Sequence, residues 1–174
     1  MNNFFNYLIH RFFSIFKASV SENYLGMMYE EGLFVSGNYK KAFSWYEKSA
    51  TQNDMHGLSN LGRCYACGIG CETDMNKAIM FYKKSADLGH EWTLNTLGVI
   101  FEDGIYVDKD LTLSFSMYKQ AADKNLDSGL YNYGRFLYEG VGCNSNEELG
   151  IECIRKAGEL GVPPAIEYIK NIEQ

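Results

Sequence analysis

Apolar positions along this chain keep two rhythms. The shorter one is helical: Leu58, Leu61 and Tyr65 recur at i, i+3 and i+7, the spacing that lines one face of an α-helix. The longer one is a strict internal repeat. Leu25-Gly26 recurs as Leu61-Gly62, as Leu97-Gly98 and as Tyr133-Gly134, each step being 36 residues without insertion. Three residues past each glycine stands Tyr29, Tyr65, Phe101 or Leu137. A second glycine then follows at Gly32, Gly68, Gly104 and Gly140. Four units result, covering 19–54, 55–90, 91–126 and 127–162.

Each unit predicts two helices. The first, helix A, spans about 55–67 in the second unit and carries Gly62 in the middle of its apolar face. A glycine there costs about 1 kcal/mol against alanine, so its fourfold recurrence implies a neighbour too close for a Cβ. Gly68 and its equivalents end helix A in the left-handed conformation. The second, helix B, starts after a column of good N-caps: Asn38, Asp74, Asp110 and Asn146. It ends at Asn53, Gly89, Asn125 and Gly161, the residue types that tolerate a left-handed C′ position. Small residues (Ala42, Ala78, Ser114, Gly150) alternate with bulky ones (Trp45-Tyr46, Phe81-Tyr82, Met117-Tyr118, Cys153-Ile154), so that consecutive helices interlock.

The flanks extend this frame. Pro163 suits the first position of a fifth helix A, making 163–174 a C-terminal capping helix. Residues 3–17 form an amphipathic pattern. Phe4, Phe5, Leu8, Ile9, Phe12, Phe13, Ile15 and Phe16 fill one half of a helical wheel. The expectation is an N-terminal capping helix over 1–18, because solenoid ends need covering. A membrane-surface helix is the alternative, weakened by the few Lys and Arg on the polar half. No basic residue precedes the apolar stretch, which argues against a signal peptide.

Residues 58–86 read L-x-x-L-G-x-x-Y-x-x-G-x-G-x-x-x-D-x-x-K-A-x-x-x-Y-x-K-S-A. This unit resembles the Sel-1-like repeat, a relative of the tetratricopeptide repeat. The resemblance covers 19–162. Departures are Phe34 and Tyr106 for the second glycine of G-x-G, and Leu113-Ser114 and Leu149-Gly150 for Lys-Ala. It implies an all-α fold: a right-handed α-solenoid of antiparallel helix pairs, with four full 36-residue repeats between capping helices, in one domain. It also implies a scaffold or adaptor that binds other proteins. The cysteine-rich members of the family carry a disulfide in each repeat. The matching columns here hold Ala50 and Leu58, Ala86 and Leu94, Ala122 and Leu130, so that subgroup is disfavoured.

Composition adds limits. The net charge is −6, with 16 Lys+Arg against 22 Asp+Glu, which argues against nucleic acid as a partner. Seventeen glycines and two prolines are the balance of a packing code rather than of a flexible linker. Five cysteines, an odd number, suit a reducing compartment, and the expected location is cytoplasmic.

Candidate chemistry is thin. Gly68-x-Gly70 and Gly140-x-Gly142 follow no strand, so a tight interhelical turn is expected in place of a phosphate loop. Cys64, Cys67 and Cys71 have metal-like spacing but no second pair or nearby histidine, and no metal or cofactor is expected. Cys71, Cys143 and Cys153 read as small core residues, and Cys67 as a thiol at an exposed helix end. His10, His56 and His90 share no column and pair with no nucleophile in sequence, so no enzyme is expected and a hydrolase is the weakest alternative.

Helices A line the concave side of related folds, and this is what the resemblance implies here. Columns at −3, +1, +4 and +5 from each helix-A glycine should then face away from the core. The candidate protein-binding residues are Asn23, Met27, Glu30, Arg63, Trp92, Asn95, Glu102, Asp103, Tyr131, Arg135, Tyr138 and Glu139. Their acids favour a basic or amphipathic protein partner. A bacterial adaptor, or an immunity protein that neutralises a toxin, is the expected role. A scaffold tethered to a membrane by residues 3–17 is the alternative.

Overall fold

The computed structural model describes residues 18–33 and 35–172. The capping or membrane helix expected over 3–17 lies outside them. Among the described residues there are nine helices and no strand: α1 (Ala18–Glu31), α2 (Tyr39–Thr51), α3 (Met55–Cys67), α4 (Met75–Asp87), α5 (Glu91–Asp103), α6 (Leu111–Asp123), α7 (Asp127–Glu139), α8 (Glu147–Glu159) and α9 (Pro163–Ile172). None is long and apolar enough to cross a membrane. Helix α3 has the bounds expected for helix A of the second repeat.

Capping follows the columns read from the sequence. Asn38, Asp74, Asp110 and Asn146 accept bonds of 2.9–3.1 Å from the backbone N–H three residues on, so each helix B opens with a satisfied donor. Gly68 and Gly140 end α3 and α7 at φ of 73° and 69°. Asn53 and Asn125, the two non-glycine residues of positive φ among those described, end α2 and α6. Beyond Gly68, Gly70 serves a different end. A Cβ there would land on the Tyr39 carbonyl oxygen, so the second glycine lets the turn lie against the start of α2. That close approach accounts for the G-x-G without any phosphate.

Contacts divide the chain into two compact units, 1–90 and 91–174. In the first, α1 to α4 pack successively around Ala42, Tyr46, Ala50, Leu58, Leu61 and Cys64. In the second, α5 to α9 pack successively, with Ala122, Leu130, Ile154, Ala157, Val162 and Ala165 forming one buried cluster. The short connections place neighbouring helices antiparallel.

One contact sets the distance between the helices of a pair. A Cβ on Gly62 would sit 2.7 Å from two carbons of the Tyr82 ring. On Gly98 it would sit 2.5 Å from Tyr118 Cε1, and Gly26 faces Tyr46 in the same way. The helix-B tyrosine ring packs directly against the helix-A glycine in three repeats. In the fourth, Ile154 and the backbone of Gly150 take that place against Gly134. The near neighbour inferred from the glycine column is thus a specific side chain.

This predicts opposite outcomes for one substitution. Gly98→Ala should lower stability. Overpacking against a fully buried ring costs about 1–3 kcal/mol, which outweighs the gain of about 1 kcal/mol in helix propensity. Gly158→Ala, inside α8 with its nearest neighbour at 3.7 Å, should instead be neutral or stabilising by up to about 1 kcal/mol. Urea unfolding of the two variants checks both signs.

Candidate functional site

In the first unit the expected binding columns lie along α1 and α3. Glu30 stands in the last turn of α1, and Arg63 stands on α3. The Arg63 guanidinium donates from Nη1 and Nη2 to the two Glu30 carboxylate oxygens at 2.7 and 2.6 Å. Tyr46, whose ring is fully buried against Gly26, donates its hydroxyl to Glu30 Oε2 at 2.7 Å. Beside this cluster Asn60 donates to Asn23 Oδ1 at 2.8 Å, and Arg63 reaches Asn60 Oδ1 at 3.5 Å. The Arg63 hydrogen bonds hold the Glu30 carboxyl below its usual range. Burial opposes this, and the Tyr46 hydroxyl adds to it. Burial and the Glu30 bond together push the Tyr46 phenol far up, so it stays protonated.

The second unit repeats this arrangement 72 residues later. Arg135 Nη2 donates to both Glu102 oxygens at 2.8 and 3.0 Å. Tyr118 donates to Glu102 Oε2 at 2.7 Å. Asn132 donates to Asn95 Oδ1 at 2.9 Å. Sequence reasoning placed Tyr46 and Tyr118 only among the bulky core residues and passed over Asn60 and Asn132. A signal was present: Asn23/Asn95, Glu30/Glu102, Tyr46/Tyr118, Asn60/Asn132 and Arg63/Arg135 are identities at a spacing of two repeats. Alignment at 36 residues conceals it, because odd repeats supply the acid and even repeats the arginine.

These bonds correct the expectation that all four columns face freely away from the core. Asn23 is only 7% exposed. Glu30, Arg63, Glu102 and Arg135 are committed to one another, because a helix-A face is flanked by the next helix A and polar residues there find partners before they meet solvent. What remains open differs between the units. Met27 is exposed in the first. In the second, Trp92 is 57% exposed, and Val99, Asp103 and Glu139 are exposed with it.

Three tyrosines gather at the end of the second unit. Tyr168 of α9 stands edge-on to Tyr131 and Tyr138 of α7, with ring centroids 6.2 and 5.9 Å apart and interplanar angles of 77° and 89°. Its hydroxyl donates to Glu139 Oε1 at 2.7 Å. Glu139 in turn lies 3.8 Å from Arg135. Two repeats earlier the columns of Tyr131, Tyr138 and Glu139 hold Ser59, Ala66 and Cys67. Here the second unit departs from the first.

All five cysteines are free. Burial pushes the Cys64 thiol up to about 12, which leaves it unreactive at neutral pH. Cys71, Cys143 and Cys153, expected in the core, are half-buried: the first two sit in turns at its rim, and the third borders the contact of α8 with Gly134. The thiols of Cys71 and Cys143 donate to the Cys64 and Phe136 carbonyls at 3.4 and 3.5 Å, at the ends of α3 and α7. Cys67 is exposed, as expected. Among the described residues no group of three or more His, Cys, Asp or Glu could hold a metal ion.

Comparison with known proteins agrees with this architecture. The pattern of the Sel1 repeat matches residues 19–54, 56–90, 95–126 and 127–162. No curated protein matches the chain. Among solved structures, a Sel1 repeat protein from Oxalobacter formigenes superposes with a TM-score of 0.83 at 21% identity, over 88% of this chain and 44% of that one. A protective antigen present in uropathogenic Escherichia coli strains, displaying an SLR fold, gives 0.79 at 25% identity, over 84% of this chain and 32% of that one. An immunity protein from Pseudomonas aeruginosa gives 0.50 at 23% identity, over 73% and 48%. The chain therefore spans less than half the length of each of these relatives.

Two outcomes are expected for the Glu30 cluster. A double-mutant cycle with Glu30→Gln and Arg63→Met should give a coupling of about 1 kcal/mol, limited by the partial exposure of Arg63 and reduced by salt. A carboxyl whose folded pKa is depressed contributes stability above its unfolded pKa and loses it as pH falls through the folded value. Between pH 7 and pH 3, wild type should therefore lose more unfolding free energy than Glu30→Gln, as measured by denaturant titration.

Proposed function

The chain belongs to the Sel1 repeat family, and from that premise we propose that it is a non-enzymatic adaptor that binds another protein through the helix-A face of its second unit. Sel1 repeat proteins generally mediate protein–protein interaction. The observation that carries the assignment is the Tyr131–Tyr138–Tyr168 cluster, in a unit that also exposes Trp92. Tyrosine and tryptophan bury large area with few rotors, and they dominate the energetics of interfaces. This cluster stands where the second unit breaks the pattern of the first, so the fold does not demand it.

Charge narrows the partner. Arg135 is neutralised by Glu102 and Glu139, while Asp103 and Glu167 of the same unit are exposed. The face is acidic on balance and suits a basic partner surface. A toxin-neutralising role fits such a face. The resemblance to an immunity protein supports that role at the level of fold.

The partner recovered from the native host and identified by mass spectrometry provides the test. Its affinity should fall at least tenfold for Trp92→Ala combined with Tyr131→Ala, with helicity unchanged by circular dichroism. Ser59→Ala, the first-unit counterpart of Tyr131, should leave it unaltered. Equal affinity for wild type and the double variant overturns the assignment.

A further inference from the structure

The polar clusters of the two units differ by one charge. In the first, Arg63 meets Glu30 and the two charges cancel. In the second, Arg135 faces two carboxylates, Glu102 at 2.8 Å and Glu139 at 3.8 Å. The column of Glu139 holds Cys67 in the first unit, so the repeat itself does not require the extra acid.

Glu139 is nevertheless held in place. The Tyr168 hydroxyl donates to its Oε1 at 2.7 Å. Burial and this bond push the Tyr168 phenol up, so it remains a donor at neutral pH. Arg135 spends its hydrogen bonds on Glu102 through Nη2, and its Nη1 stands too far from Glu139 Oε2 to hydrogen-bond. Oε2 therefore keeps unused acceptor capacity on an exposed side chain. The ring of Tyr168 also ties the carboxylate to the aromatic residues, since it stands edge-on to Tyr131 and Tyr138 on α7. All three rings are half-buried and keep some surface open. The charges that act on Tyr131 are one cation, Arg135, and three acids, Glu139, Glu102 and Glu167.

We propose that Glu139, Tyr131, Tyr138 and Tyr168 form the subsite for an arginine side chain of the protein partner. This rests on the adaptor reading of the second unit and names the side chain its face receives. A surplus carboxylate and aromatic ring faces both attract a cation. Arginine suits the place better than lysine. Its guanidinium is planar and weakly hydrated, and it stacks on rings while its N–H groups donate to a carboxylate. Arg135 does not compete, because Glu102 already takes its hydrogen bonds.

A capped Gly-Arg-Gly peptide, titrated into the 15N-labelled chain and followed by NMR, tests this. Amides of residues 131, 138, 139 and 168 should shift saturably, with a dissociation constant in the millimolar range. The same peptide with citrulline, uncharged and of the same shape, should bind at least tenfold more weakly, and the lysine peptide at least threefold more weakly. Glu139→Gln, an exposed substitution that keeps an acceptor for Tyr168, should weaken binding at least fivefold. Asp103→Asn, an exposed acid outside the cluster, should bind as wild type does. Absence of binding, equal binding of the citrulline or lysine peptide, or binding undiminished in Glu139→Gln overturns the proposal. The assay contains no partner. A silent peptide, together with partner affinity lost in the Trp92→Ala, Tyr131→Ala variant, would overturn the arginine subsite and leave the adaptor reading standing.

Discussion

The rest of the structure depends on a tyrosine ring packed against a glycine. Where helix A carries glycine in place of any larger residue, helix B approaches until its aromatic ring touches the helix-A backbone. That separation lets the small columns of Ala42, Ala78 and Ser114 reach full burial. It also fixes where the tyrosine hydroxyl emerges. Tyr46 and Tyr118 cross the core and reach the far side of helix A with just enough length to donate to Glu30 and Glu102. Packing and polar order are therefore one arrangement: the hydrophobic contact aims the hydrogen bond.

The carboxylate at the end of that ring then gathers an arginine from the next helix A, 33 residues on. Each such cluster joins two repeats, and the two compact units have the same membership. A part-buried phenol–carboxylate–guanidinium set favours having every member paired, because removing one leaves a half-desolvated polar group without its partner. The arginines and glutamates of the expected binding columns that join these clusters are thereby committed to the fold. The side chains of the proposed binding face, Trp92 and the tyrosines of α7 and α9, lie outside the set.

Much of the fold was legible in the sequence because its determinants are local or strictly periodic. N-caps act on a backbone N–H three residues away, left-handed glycines act on their own turn, and the 36-residue period aligns every apolar column. The polar clusters were not legible in the same way. Glu30 and Arg63 are 33 residues apart and Asn23 and Asn60 are 37, offsets that correspond to no column of the repeat. A helical wheel sorts residues by polarity and so sends Asn23 to solvent, whereas the adjacent helix A buries it. Tyr168 escaped attention for another reason: it lies on α9, outside the four full repeats, and only the packing of α9 on the second unit brings it to Tyr131 and Tyr138.

The alternation of acid-bearing and arginine-bearing repeats imposes a parity on the array. An extra 36-residue unit placed inside either pair would part the acid from its arginine and strand a half-buried carboxylate without its cation. Acid and arginine therefore travel together, and a chain lengthened or shortened by whole pairs of repeats keeps every such charge matched.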